Sequence, residues 1–108
     1  MRMSTDDKTI LKIRDIAKAT IPSGSEVILY GSRARGDAHT NSDWDILILL
    51  DKARLEQSDY DKISYPFVLL GCDLGAEINP ILYTKKEWDS YSFTPFYENV
   101  SRDGIALI

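Results

Sequence analysis

Two apolar runs, Glu26–Tyr30 and Trp44–Leu50, are joined by a linker that opens on Gly31-Ser32 and ends at Asp43, next to Trp44-Asp45. Aliphatic, β-branched and aromatic residues dominate both runs and suit strands. In the second run every position except Asp45 is apolar, so this strand is expected to be buried on both faces. A carboxylate in such a strand is costly unless something holds it. Residues two apart on a strand share a face. Asp43 and Asp45 therefore project together, about 6.6–6.8 Å apart along the backbone.

The flanking segments supply helices. Ile10, Ile13, Ile16 and Ala17 follow helical spacing over residues 5–20, with Asp6 and Asp7 in the first turn, where the helix dipole favours acids. Pro22 and Gly24 end that helix. Residues 53–74 read as an interrupted helix. Pro66 fits poorly in a helix interior, so Ser64 is expected to cap a new segment. Residues 77–83 form a third strand. Thr84-Lys-Lys-Glu87 is a capping box for a helix through Trp88. Thr94-Pro95 starts another helix, which Gly104 closes, and residues 105–108 add an edge strand. The chain thus reads as one α/β (α+β) domain over residues 1–108, a small mixed sheet of three to four strands with helices packed mainly on one side.

Composition narrows the function classes. A length of 108 residues leaves little room for a second core. The net charge of −4 disfavours a general nucleic-acid binder. A single cysteine, Cys72, forms no internal disulfide and fits a reducing cytoplasm. The polar N-terminus carries no apolar signal core, and no apolar run is long enough to span a bilayer.

The chemistry centres on residues 31–45. Carboxylates at the spacing of Asp43 and Asp45 can converge on two metal ions about 3.5–4 Å apart. Oxygen ligands and retained water suit Mg²⁺. Glycine at position 31 lets the backbone approach a phosphate closely. Ser32 offers a hydroxyl and a backbone N–H at a helix start, an anion site. Arg33 and Arg35 can pair with phosphate oxygens, although surface arginines are common and the two readings are evenly balanced.

The stretch Gly31-Ser32-Arg33-Ala34-Arg35-Gly36, followed by Asp43-Trp44-Asp45-Ile46, resembles the signature of the DNA polymerase β-like nucleotidyltransferase superfamily. Within it, the chain is most similar to the minimal nucleotidyltransferases (MNT) found in HEPN/MNT toxin–antitoxin pairs. The resemblance implies a nucleotidyltransferase fold in which Gly31 and Ser32 hold a triphosphate and Asp43 and Asp45 hold Mg²⁺ in a two-metal site. It also implies a third carboxylate on a later strand. Glu77 is the best placed, sharing the metal or taking the proton of the attacking hydroxyl. The substrate implied is ATP or another NTP. The acceptor hydroxyl would lie on a HEPN-like helical protein acting in trans, and an oligomer is a further expectation.

Blander readings stand beside these. Glu77 could be a solvent-facing strand residue, and Asp73 is a rival third acid better explained as a helix cap. Asp37 reads as a loop charge and His39 as a solvated loop residue. Cys72, Trp44 and Trp88 read as core. Tyr91, Phe93, Phe96 and Tyr97 form a cluster expected to pack with partial exposure. Two other functions compete: a catalytically inactive module of the same fold that neutralises a partner by contact, and transfer to an aminoglycoside-like small molecule or an RNA end.

Overall fold

The structure, a computed structural model, describes residues 5–108, with side chains from Asp7 onward. Met1 to Ser4, part of the polar N-terminus, lie outside the described residues.

Strand β1 (Glu26–Tyr30) runs antiparallel to β2 (Trp44–Leu50), with Tyr30 opposite Asp45 and Glu26 opposite Leu49. β2 runs parallel to β3 (Ile78–Thr84), with Asp45 opposite Asn79. A short β4 (Ile105–Ala106) pairs antiparallel with β1, which gives a mixed sheet in the order β3-β2-β1-β4. β2 is thus an interior strand. It is covered on both faces, which explains why Ile46 through Leu50 are all buried.

Alternation along the strands builds two layers. Ile46, Ile48 and Leu50, with Val27 and Leu29, face helix α1 (Thr5–Thr20) through Ile13 and Ala17. The same layer takes Phe67 from α4 (Tyr65–Leu74). These two longest helices cover one face. Leu47 and Leu49 point the other way and meet Trp88 of the short α5 (Lys85–Ser90) and Val100 of α6 (Pro95–Asp103). Each such side chain removed from water contributes roughly 1.5–3 kcal/mol before entropy is counted.

Local signals place the helix ends. The Glu87 N–H donates to Thr84 Oγ1 at 3.0 Å and the Thr84 N–H donates to Glu87 Oε1 at 2.9 Å, a complete capping box at α5. Thr94 caps α6, accepting from the Tyr97 N–H at 3.2 Å, and Pro95 follows in the first turn.

The segment read as an interrupted helix differs in detail. It starts at Gln57, as α3 (Gln57–Asp59), where the Glu56 N–H donates to Asp59 Oδ2 at 2.7 Å. It then widens into a π-helical turn, Tyr60–Ser64, and continues as α4. Ser64 does not cap. Its backbone is helical (φ −70°, ψ −45°), and its buried Oγ has no hydrogen-bond partner. The wide turn accommodates Pro66, which has no N–H to donate to the preceding turn. Cys72 is also not core. It is exposed on α4, on the same side as the exposed Tyr65, Val68 and Leu69. Trp44 and Trp88 are buried, as expected, and the aromatic cluster packs around Trp88 with Phe93 left out at 85% exposure. Among the described residues, no helix is long and apolar enough to cross a membrane.

Candidate active site

Gly31 joins β1 to the single-turn helix α2 (Ser32–Arg35) with φ 75° and ψ −158°, a region that essentially only glycine enters. A Cβ on Gly31 would lie 2.5 Å from Asp45 Oδ2. The turn therefore closes directly onto the carboxylate, with no room for a side chain between them. The Ser32 N–H, in the first turn of α2, has no intrahelical partner. The Gly-Ser turn and the Asp-x-Asp pair meet because the antiparallel hairpin sets Tyr30 opposite Asp45.

The acids gather on the face shared with α5 and α6. Asp45 precedes Leu47 and Leu49 on that face. The Trp44 N–H donates to the Glu77 carbonyl at 2.8 Å, which fixes the entry of β3 beside Asp43. Asp43 lies beside the Glu77 carboxyl, and its proximity and charge raise the Glu77 pKa. Asp45 is also raised, by burial first and by the Asp43 charge; a hydrogen bond with Asn79 and the charge of Arg35 act against this. Tyr30 beside it is pushed up to about 12, chiefly by burial and then by the Asp45 charge.

Asn79 is the residue the sequence reading missed. Its Nδ2 donates to Asp43 Oδ2 at 3.1 Å, and it is also the register partner of Asp45. The signal was present: two residues beyond Glu77 on a strand, it must share the face of Glu77.

The two arginines part company. Arg33 turns toward the linker, where Nη2 donates to the Ser42 carbonyl at 2.9 Å and the Thr40 carbonyl at 3.2 Å. Its guanidinium also lies 4.4 Å from the centroid of the Trp44 ring. Arg33 thus staples the loop that leads into Asp43. Arg35 is exposed, pairs with Asp37 at 3.2 Å, and acts electrostatically on Asp45. His39 stands exposed in the same loop, where its N–H donates to Ser42 Oγ at 2.7 Å.

The donor set suits a hard cation: three carboxyls opposed only by an amide and one exposed guanidinium, with two of the three raised in pKa by their neighbours or by burial. Among the described residues no group of three acids, histidines or cysteines is arranged around a metal position. A cavity of about 480 Å³ lies elsewhere, between the linker and the end of α4, and none of the three acids lines it.

Residues 10–96 match the nucleotidyltransferase domain family, and the chain belongs to that family. No curated protein matches the sequence. Several solved structures share the fold. One is a toxin-antitoxin with AMP-PNP, 20% identical, with a TM-score of 0.63 over 92% of this chain and 72% of that chain. Another is a tri-AMPylated Shewanella oneidensis HEPN toxin in complex with MNT antitoxin, 16% identical, with a TM-score of 0.62 over 96% of this chain and 72% of that chain. A third is the toxin-antitoxin MntA-HepT, 17% identical, with a TM-score of 0.57 over 94% and 70%.

Proposed function

We propose that this chain transfers a nucleoside monophosphate, AMP from ATP, to a hydroxyl on a HEPN-type partner protein in the cytoplasm, in a Mg²⁺-dependent reaction. The observation that carries this reading is the closure of the Gly31 turn onto Asp45, with Asp43 and Glu77 alongside on the same face. Membership in the nucleotidyltransferase family supports it. The toxin-antitoxin structures that share the fold, one with AMP-PNP and one with an AMPylated HEPN toxin, support the choice of nucleotide and partner.

In this reading Gly31 and Ser32 hold the triphosphate and Arg35 faces its charge, while Arg33 orders the loop that carries Asp43. Asp43, Asp45 and Glu77 would hold Mg²⁺, which when bound polarises the phosphate and lowers the pKa of an attached hydroxyl. The acceptor oxygen forms a bond to the α-phosphorus. The bond to the β-phosphate bridging oxygen breaks, and pyrophosphate leaves. Glu77, beside Asp43, accepts the hydroxyl proton.

The test is transfer of label from α-labelled ATP to a co-purified HEPN-type protein in Mg²⁺. Transfer is expected with the wild type and not with Asp43→Asn. A stable complex with no transfer by the wild type would support the second reading, a module that neutralises its partner by contact. The observation that favours that alternative is that, among the described residues, no group of three acids, histidines or cysteines is arranged around a metal position.

A further inference from the structure

A cavity of about 210 Å³ opens beside the candidate active site, between the end of β1 and α6. It is lined by Gly31, Arg35 and Tyr30, the register partner of Asp45. Its far side is Phe96, Asn99 and Asp103 from α6. Cavities that enclose a drug-sized ligand start at roughly 300 Å³, so this one suits a single ring system. It is contiguous with the turn on which the phosphates are placed, and it lies on the side of the sheet away from β3 and Glu77.

We propose that this cavity takes the nucleobase of the substrate and that Asn99 selects adenine; the proposal rests on the nucleotidyltransferase reading and extends it to residues of α6. The lining argues for a base and against a further phosphate. Phe96 and Tyr30 offer aromatic surface, and their rings already meet edge to face at 5.4 Å. Asp103 would repel phosphate oxygens. It is held ionised by Arg102, whose Nε and Nη2 each donate to it at 3.2 Å. Asn99 carries an amide, the group whose paired donor and acceptor match the adjacent donor and acceptor of adenine. Its present partner on Oδ1 is the exposed Arg102, a bond at 3.2 Å that costs little to exchange.

A Cβ on Gly104, at the end of α6, would lie 2.8 Å from Ile28 Cγ2, so this end of the helix packs closely on β1.

Titration calorimetry with Mg²⁺ and three ligands (ATP, GTP and tripolyphosphate) tests this directly. The wild type should bind ATP at least tenfold more tightly than either of the others. Asn99→Ala, on the exposed side of α6, should lose about tenfold in ATP affinity and leave tripolyphosphate unchanged. Asn99→Gln should recover part of the loss, and Phe96→Leu should weaken ATP and GTP alike while sparing tripolyphosphate. Equal binding of ATP and tripolyphosphate by the wild type would sink the base pocket while leaving the phosphate site intact. Equal binding of ATP and GTP would overturn the role of Asn99. Binding of none of the three would remove the nucleotidyltransferase reading itself.

Discussion

Asn79 Nδ2 donates to Asp43 Oδ2 at 3.1 Å while its backbone pairs with Asp45, so one amide ties the two acids of the Asp-x-Asp pair to β3. Groups that orient metal-binding carboxylates typically change affinity or activity by about 10–100-fold when removed. Asn79→Ala is expected to lower nucleotidyl transfer within that range and to raise the Mg²⁺ concentration needed for half-maximal rate. A Mg²⁺ titration of activity checks it; an unchanged Mg²⁺ requirement would show that Asn79 only supports the strand.

Neutralising the acids should separate stability from activity. Asp45 carries its charge against burial and against Asp43. Asp45→Asn is therefore expected to abolish transfer and to raise the melting temperature measured without divalent cations. The same scan with Mg²⁺ should raise the wild type further and leave the variant unmoved, because a ligand stabilises only the state that binds it.

Gly31→Ala puts a Cβ 2.5 Å from Asp45 Oδ2 and forces alanine to φ 75°. A loss of about 1–3 kcal/mol is expected from the backbone alone. Urea unfolding measures it, and Gly36→Ala is the comparison: it has a positive φ of 84° with nothing within 4 Å of its Cβ. The excess loss at Gly31 reports the contact with Asp45.

Arg33 and Arg35 lie two residues apart and should behave differently. Arg33→Ala removes bonds to the Thr40 and Ser42 carbonyls and should cost about 1–3 kcal/mol in stability. Arg35→Ala should leave the melting temperature within about 2 °C, as surface substitutions do, and weaken ATP binding. Equal effects on stability would contradict the division of roles.

Asp59 gives the chain an acid-sensitive joint. Burial pushes its pKa up, but the Glu56 N–H and Lys52, whose Nζ lies 2.9 Å away, outweigh this and hold it below the ordinary carboxylate value. A depressed pKa contributes stability above the unfolded value of about 3.9 and loses it as pH falls through the folded value. Asp59→Asn is expected to lower stability at pH 7 by about 1–3 kcal/mol and to flatten its fall below pH 4. Denaturant midpoints across that range decide it.

Much of this was legible in the sequence. Unbroken apolar character marked β2 as interior, and the capping residues Thr84 and Thr94 marked two helix starts that the structure shows hydrogen-bonded. What escaped the sequence depends on contacts made only after folding. Arg33 looks like any phosphate-facing arginine until the linker folds back over it. Ser64 carries a cap's chemistry, yet the chain absorbs Pro66 by widening a turn. Cys72 is typical of a core residue, but α4 rolls it outward. Asn79 was within reach of strand periodicity, but its uncharged amide carries no sign of the carboxylate it holds until β3 lies beside Asp43.

The antiparallel register that sets Tyr30 opposite Asp45 does more than build a hairpin. Side chains on a strand alternate, so a slip of β1 against β2 by one residue would move the Gly31 turn off Asp45 and leave it above a neighbour that faces the other layer. The burial of Ile46, Ile48 and Leu50 against α1 and α4 forbids that slip. The hydrophobic layer on one side of the sheet thus acts as the ruler for the chemistry on the other. Substitutions deep beneath α1 can therefore be read out as misalignment of the Gly31 turn and Asp45 on the opposite face.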